Sequence, residues 1–116
     1  MTVLRAAIVA VAMTLAHPAA AAQTGVASFY HPRLEGRPMA TGRPYRSSRP
    51  TVASRTLPLG SRVVVTNLSN HRRVRATVED RGPYVRGRIL DVSGSLARRL
   101  GMVRTGVARV RVARLP

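Results

Sequence analysis

From residue 25 onward, apolar and polar positions alternate with the two-residue period of β-strands. The clearest case is the segment 72–80, in which Val74, Ala76 and Val78 share one face while arginine and threonine occupy the other. The pattern therefore predicts half-buried strands around one core. The same reading predicts strands at residues 25–30, 61–68, 88–92 and 107–115, and a short strand or turn at 51–56.

One helix is predicted to interrupt the strands. Ser93 has the side chain of an N-cap, Gly101 is the usual residue after a helix, and Leu96 and Leu100 give the segment an apolar stripe. Residues 31–50 contain four prolines and predict an ordered loop. Several short strands, one helix and long loops fit a small closed barrel better than an open sheet with exposed edges.

The first 22 residues have the organisation of a secretory signal peptide. Arg5 is followed by a short apolar run at 6–16 and by small residues at 19–22. The run is too short to span a bilayer, and it lacks the polar face of a surface helix, which is the alternative. We predict a signal peptide over residues 1–22 and one mature domain over residues 23–116.

The sequence has no cysteine. We therefore expect no disulfide and no lipid anchor, which would need a cysteine after the signal. The expected product is an exported protein, periplasmic or secreted, that is soluble, is not a lipoprotein and has no transmembrane segment. Its hydrophobic core has to stabilise the fold without disulfides.

The formal net charge is +16, and every basic residue other than histidine is arginine. Such a charge attracts polyanions, whether nucleic acid, acidic lipid headgroups or the anionic bacterial wall. Because the protein is predicted to be exported, we do not expect nucleic acid as its partner. A codon-usage bias toward arginine is the alternative explanation, so the charge indicates adhesion without selecting a ligand.

Three segments carry a family resemblance: TLPLGSRVVVTNL at 56–68, EDRGPYVRGRILDVS at 79–93 and LGM at 100–102. In this order and spacing they resemble the rare lipoprotein A (RlpA) family, over residues 25–115. The resemblance implies a mainly β fold, a six-stranded double-psi β-barrel with a groove across one face, to which the pattern adds one short helix.

The same resemblance implies the activity of an endolytic lytic transglycosylase. Such enzymes cleave the MurNAc–GlcNAc bond of peptidoglycan without water and leave 1,6-anhydro ends, with a preference for glycan strands stripped of stem peptides. The reaction needs an acid that protonates the leaving oxygen and a base that takes the proton of the 6-hydroxyl. One residue can perform both steps. No metal or cofactor is implied, and we expect a monomer.

The family's groove holds a glutamate, a histidine and an aspartate. The resemblance places the aspartate at Asp80, the glutamate position at Arg43 and the histidine position at Ser54. Neither replacement titrates usefully near neutral pH. Two of three implied catalytic positions are thus replaced, which predicts impaired chemistry. Asp80 continues the apolar parity of its strand and is expected at the mouth of the core, or alternatively opens an Asp-Arg-Gly-Pro turn.

The other acidic residues were compared as substitutes. Glu35 shares the long loop with Arg43 and is a second catalytic candidate, the alternative being a solvated carboxylate paired with a neighbouring arginine. Glu79 has the opposite strand parity to Asp80 and is predicted to point outward. Asp91 is predicted to be a structural hydrogen-bonding group at the entrance of the helix.

Tyrosines near the groove can stack on sugar faces, and arginines can bind acidic groups of the wall. Histidines 31 and 71 do not have the spacing of metal ligands, so no metal site is predicted. The predicted substrate-binding residues are Tyr30, Arg37, Arg43, Tyr45, Ser54 and Arg81.

Three functions remain open from the sequence. The chain is an active lytic transglycosylase, a wall-binding module that keeps the groove without the chemistry, or an expansin-like protein that loosens glycan packing without cutting. All three have peptidoglycan glycan strands as the partner.

Overall fold

Six strands and one α-helix form the fold of this protein, for which the computed structural model describes residues 22–116. The predicted signal peptide lies, except for its last residue, outside the described residues. Every predicted strand is present, and the helix begins and ends within a residue of its predicted caps. The elements are β1 (Gln23–Phe29), β2 (Thr51–Ala53), β3 (Arg62–Asn67), β4 (Arg73–Asp80), β5 (Arg88–Val92), α1 (Gly94–Leu100) and β6 (Ala108–Arg114), with a 3-10 turn at Pro32–Leu34.

The strands close into a barrel in the order β1-β5-β2-β4-β3-β6. Strands β1 and β5 are parallel, as are β2 and β4, whereas the other neighbours are antiparallel. Parallel neighbours cannot be joined by a tight hairpin, so the chain crosses between them through long connections. The mainly β, six-stranded barrel with one short helix is confirmed, and closure leaves no open sheet edge.

Because apolar and polar residues alternate along the strands, the interior of the barrel is filled mainly by valine side chains. On β3, Val63 and Val65 are fully buried, and they meet buried valines from the other strands. Helix α1 adds Leu96 and Leu100, both fully buried, to one end of this core. The helix is stabilised at its N-terminus by the Ser93 side chain and ends at a left-handed Gly101, as the sequence predicts.

A second, smaller core lies outside the barrel wall. The loop of residues 31–50 folds back over β2, and Tyr30, Met39 and Tyr45 cover Ala53. The rings of Tyr30 and Tyr45 stack with centroids 4.3 Å apart and an interplanar angle of 9°. This layer covers part of the outer wall of the barrel beside Ala53.

Strand β4 departs from regular alternation near its end, and this makes the parity prediction for Asp80 wrong. Val78 pairs with Val52, but Asp80 pairs with Ala53, so Glu79 is the extra residue of a β-bulge. Its side chain is only 8% exposed and accepts a 3.3 Å ion pair from Arg43. Glu79 lines an outer depression together with Thr77, so it keeps the predicted outward side but is covered by Arg43. The bulge instead changes the side of Asp80, which is opposite Ala53 on the outer wall and not at the mouth of the core as parity predicts.

Candidate functional site

A row of four residues crosses four neighbouring strands on the outer face of the barrel. In the strand register, Ser28 of β1 is opposite Asp91 of β5, Asp91 is opposite Ala53 of β2, and Ala53 is opposite Asp80 of β4. Directly opposed residues share a face, so both aspartates point to the side covered by the long loop. Two inter-strand spacings place their Cα atoms about 10 Å apart. The fold thus brings two carboxylates to one site.

The Asp80 carboxylate accepts hydrogen bonds from three donors. Its Oδ1 accepts from the backbone amides of Ala40 and Arg81, each at 2.9 Å, and its Oδ2 accepts from the Tyr30 hydroxyl at 2.5 Å. Three converging donors fix the position of this carboxylate. Asp80 lies at the end of its strand, and it holds both the following turn and the long loop in place.

Asp91 has a different environment. It accepts a hydrogen bond from the Ser28 hydroxyl and makes no bond at the helix entrance, where Ser93 is the cap. The structural role predicted for Asp91 therefore needs correction. Burial raises the pKa of Asp91 above its ordinary value, the charge of Asp80 raises it further, and Ser28 and Arg88 oppose the shift. A raised pKa favours the protonated form that a general acid requires.

Tyr30 lies between the two carboxylates. Burial raises the pKa of its phenol, and the hydrogen bond to Asp80 and the charges of both aspartates raise it further. Tyr30 is therefore a neutral hydrogen-bond donor at any physiological pH. Its ring lies on Tyr45, which fixes its orientation.

Asp91 opens into a groove of about 340 Å³, within the size range of small-ligand sites. One wall comes from the end of β1 and the 3-10 turn, and the other from the loop before β5. Tyr84, which is 79% exposed, presents a free aromatic ring at the rim. The lining residues that matter for the chemistry are Ser28, Tyr30, Arg81, Tyr84, Arg88 and Asp91.

Two replaced family positions lie away from the groove. Ser54 is 1% exposed, and its hydroxyl oxygen accepts hydrogen bonds from the amides of Thr56 and Leu57, so it orders a turn and cannot contact a ligand. Arg43 pairs with Glu79 and lines a different depression. Both are predicted substrate-binding residues, and the contacts they make in the fold are to Glu79 for Arg43 and to the amides of the turn for Ser54.

Arg81 lines the groove as predicted, but one nitrogen of its guanidinium is already used. Its Nη1 donates to the carbonyls of Ser54 at 2.9 Å and of Leu57 at 2.6 Å. The guanidinium therefore anchors the turn that follows β2, and only its remaining donors face the groove.

Glu35 and Tyr45 line an adjoining cavity of about 500 Å³ between the long loop and α1. Tyr30 separates this cavity from the groove, since it lines both. Glu35 accepts a 2.9 Å hydrogen bond from the amide of Ser47, a contact that was not among the arginine pairs considered from the sequence. Arg37 is exposed, and its backbone pairs with Tyr45.

Asp91 and its partner Ser28 are groove residues that the sequence did not single out as site residues. Strand parity gave a signal, because Leu90 and Val92 are both inward and Asp91 must therefore point outward. Parity cannot say which neighbour lies opposite, and that pairing is what makes the site. Within residues 22–116 no three potential ligand side chains converge as a metal site. In the same part of the chain no helix has the length and hydropathy needed to cross a membrane.

The raised pKa of Asp91 predicts that Asp91→Asn stabilises the protein at neutral pH. Folding favours the protonated carboxyl, so ionisation of Asp91 costs stability, and this cost develops as pH rises from the ordinary aspartate pKa through the raised one. Asparagine carries no charge and keeps an acceptor for Ser28. The melting temperatures of the two proteins should be close near pH 4 and diverge by pH 7. A less stable variant at pH 7 would contradict the assignment.

The closed six-stranded barrel, with two parallel strand pairs and an aromatic-lined groove on its outer wall, defines a double-psi β-barrel. The chain belongs to the RlpA family: the family model described as "Lytic transglycolase" matches residues 22–112. A relative from Pasteurella multocida, named "Endolytic peptidoglycan transglycosylase RlpA", is 50% identical over 91 residues, which is 78% of this chain and 31% of the relative. The chain thus spans about a third of that relative's length.

Solved structures agree on the fold. The Streptomyces papain inhibitor (SPI) matches with a TM-score of 0.66 at 24% identity, over 85% of this chain and 98% of that one. An expansin from Clavibacter michiganensis matches with a TM-score of 0.62 at 22% identity, over 82% of this chain and 50% of the expansin. At these identities the likeness establishes the fold alone, and proteins of unlike function share it.

Proposed function

We propose that this protein is exported and cleaves peptidoglycan glycan strands as an endolytic lytic transglycosylase, with Asp91 as acid and base. The observation that carries the proposal is the pair of aspartates in one row with unlike environments. Asp80 is surrounded by donors, whereas Asp91 is half-buried and has a raised pKa. A pair of carboxylates in unlike environments is how acid and base roles are divided in glycoside cleavage.

The proposed reaction needs only one proton-transferring residue. Protonated Asp91 donates its proton to the glycosidic oxygen, the bond from that oxygen to the anomeric carbon of MurNAc breaks, and positive charge develops on the sugar. The Asp91 carboxylate then takes the proton of the sugar's 6-hydroxyl, and that oxygen bonds to the anomeric carbon. The product is a 1,6-anhydro end, and Asp91 is protonated again for the next turn.

The remaining groove residues bind and orient in this proposal. Asp80 is held by its three hydrogen-bond donors, and one of them, the Tyr30 hydroxyl, connects it to the groove wall. Tyr84 offers an exposed ring for stacking on a sugar face, and the free donors of Arg81 can bind carboxylate groups of the strand.

Digestion of purified glycan strands tests this proposal. Sacculi are treated with an amidase to remove the stem peptides, incubated with the protein, and analysed by mass spectrometry for 1,6-anhydro ends. The proposal includes a preference for such peptide-free strands, so untreated sacculi should give fewer ends. No anhydro product at high protein concentration would refute catalysis.

A second candidate is a wall-binding module without turnover. The observation that favours it is the replacement of two family positions by Arg43 and Ser54, both of which make structural contacts. This function has the same groove and the same partner. Binding to peptide-free glycan without anhydro products would select it over the enzyme.

Binding to glycan strands should weaken as salt is added. The chain has a net charge of +16, and Arg81 and Arg88 lie at the groove, so part of the attraction is electrostatic. Raising ionic strength from about 0.01 M to about 1 M shortens the screening length from about 30 Å to about 3 Å. We expect a several-fold loss of protein co-sedimenting with sacculi. Arg88→Gln should lower low-salt binding, whereas Arg104→Gln, away from the groove, should change it little.

Export and a monomeric state complete the proposal. The signal-like residues 1–22 support secretion into the periplasm or beyond, and the barrel of residues 22–116 satisfies its own strand edges. Light scattering of the secreted protein would test the monomer, and N-terminal sequencing would test cleavage before Gln23.

A further inference from the structure

A basic depression lies on the barrel wall formed by β3 and β4, apart from the groove. It has a volume of about 540 Å³ and is lined by Arg73 and Arg75 of β4 and by Arg99 of α1, over a floor that includes Val64 and Pro50. The depression and the groove share no lining residue. It therefore needs an explanation of its own.

The strand register places the arginines on one face. Arg73 is opposite Thr66 of β3 and Arg75 is opposite Val64, so both side chains share the outward face of the sheet. Arg111 of β6 is also opposite Thr66, on its other side. Two inter-strand spacings separate Arg73 from Arg111 by about 10 Å, so the positive surface extends beyond the depression.

No carboxylate within residues 22–116 neutralises these arginines. Glu79 pairs with Arg43 in the one ion pair of that part of the chain, Asp80 and Asp91 lie in the row beside the groove, and Glu35 lines the adjoining cavity. Three guanidinium groups around one depression repel each other unless an anion joins them. The depression is thus lined by arginines without a carboxylate beside them.

We propose that Arg73, Arg75 and Arg99 form a binding site for a phosphate-bearing group of at least two negative charges. A guanidinium presents two parallel donors that match the oxygens of a phosphate, and three such groups exceed what a single carboxylate would neutralise. The site goes beyond the action on glycan strands, because it would hold an anionic component of the surroundings while the groove remains free. The phosphate group comes either from a soluble polyphosphate or from a lipid headgroup.

Calorimetric titration with inorganic tripolyphosphate at low ionic strength tests the site. The triple variant Arg73→Gln/Arg75→Gln/Arg99→Gln should lose affinity by a factor on the order of ten or more. The matched control Arg46→Gln/Arg86→Gln/Arg104→Gln removes the same charge from exposed positions outside the depression and should lose less than about twofold. The single variant Arg99→Gln, on the exposed side of α1, should lose about threefold and covers the case that the triple variant is unstable.

Flotation with phosphatidylglycerol vesicles, against phosphatidylcholine vesicles, distinguishes the two sources. Loss of vesicle binding in the site triple, with binding kept in the control triple, assigns the phosphate to a lipid headgroup. Tripolyphosphate binding without vesicle binding assigns it to a soluble group. Equal losses in the two triples, or no tripolyphosphate binding by the wild-type protein, would overturn the proposal. Because the groove is unchanged in all variants, anhydro-end formation is scored separately.

Discussion

Asp91→Asn should lower the rate of 1,6-anhydro end formation by about 10²–10⁴-fold, the usual contribution of a general acid. Asparagine occupies the same volume and still accepts a hydrogen bond from Ser28, but it has no proton to give to the glycosidic oxygen. The measurement is the initial rate of anhydro-end release from peptide-free glycan. Binding to the same glycan should change by much less, since the groove wall remains intact.

Glu35→Gln is the matched control for this experiment. Glu35 is also a carboxylate beside Tyr30, but it lines the adjoining cavity and accepts from the amide of Ser47, an interaction that glutamine can keep. Its activity should stay close to that of the wild-type protein. If Asp91→Asn retains activity, or Glu35→Gln loses it, the assignment of Asp91 as the general acid is wrong, and Glu35 in the adjoining cavity becomes the candidate.

The wild-type rate should itself fall as pH rises. The proposed acid must be protonated at the start of each turn, and burial raises the pKa of Asp91 so that the proton is retained to higher pH than in an ordinary aspartate. Activity is then lost as pH rises through that raised value. The raised pKa keeps Asp91 protonated for proton transfer, but it also means that the ionised form lowers stability. The asparagine variant is therefore expected to be more stable and less active.

Leu96→Ala should destabilise the barrel by about 2–5 kcal/mol. Leu96 is 0% exposed and fills the end of the core that α1 closes. A domain of this size loses about 4–8 °C of melting temperature per kcal/mol, and no disulfide limits the unfolded chain. The expected fall in Tm, about 8–40 °C, is measured by circular dichroism during thermal unfolding.

Arg98→Ala on the same helix is the control for Leu96→Ala. Arg98 is exposed in the last turn of α1, where it interacts with the helix dipole. Its loss should cost no more than about 1 kcal/mol. A Leu96→Ala variant that melts as high as Arg98→Ala would mean that α1 does not contribute to the core as its burial indicates.

Strand positions and the helix followed from the sequence because they depend on local patterns. The alternation of Val74, Ala76 and Val78 needs only the pleat of a strand, and the caps Ser93 and Gly101 need only backbone geometry. The six-stranded double-psi barrel was implied by a family resemblance, and the order of its strands appeared only in the fold, since parallel pairs such as β1 and β5 join segments far apart in the chain. Pattern alone does not contain that information.

The site depended on the tertiary structure at two residues in particular. Asp80 shares the apolar parity of its strand in sequence and leaves it in the fold, because a β-bulge inserts Glu79 between the pairs of Val78 and Asp80. Asp91 seemed to belong to the helix entrance, but the register sets it against Ser28 on one side and Ala53 on the other. Both outcomes arise from contacts between strands that are distant in the chain.

By itself, the sequence of this protein determined a closed set of short strands, one capped helix and a carboxylate at the end of β4, because periodicity and turn chemistry act over a few residues. Only the tertiary structure decided which acids share one face of the barrel, which arginines have no carboxylate beside them within residues 22–116, and what contacts the replaced positions make. Pairing across strands sets distances, burial and therefore protonation, and these quantities separate a proton donor from a loop anchor.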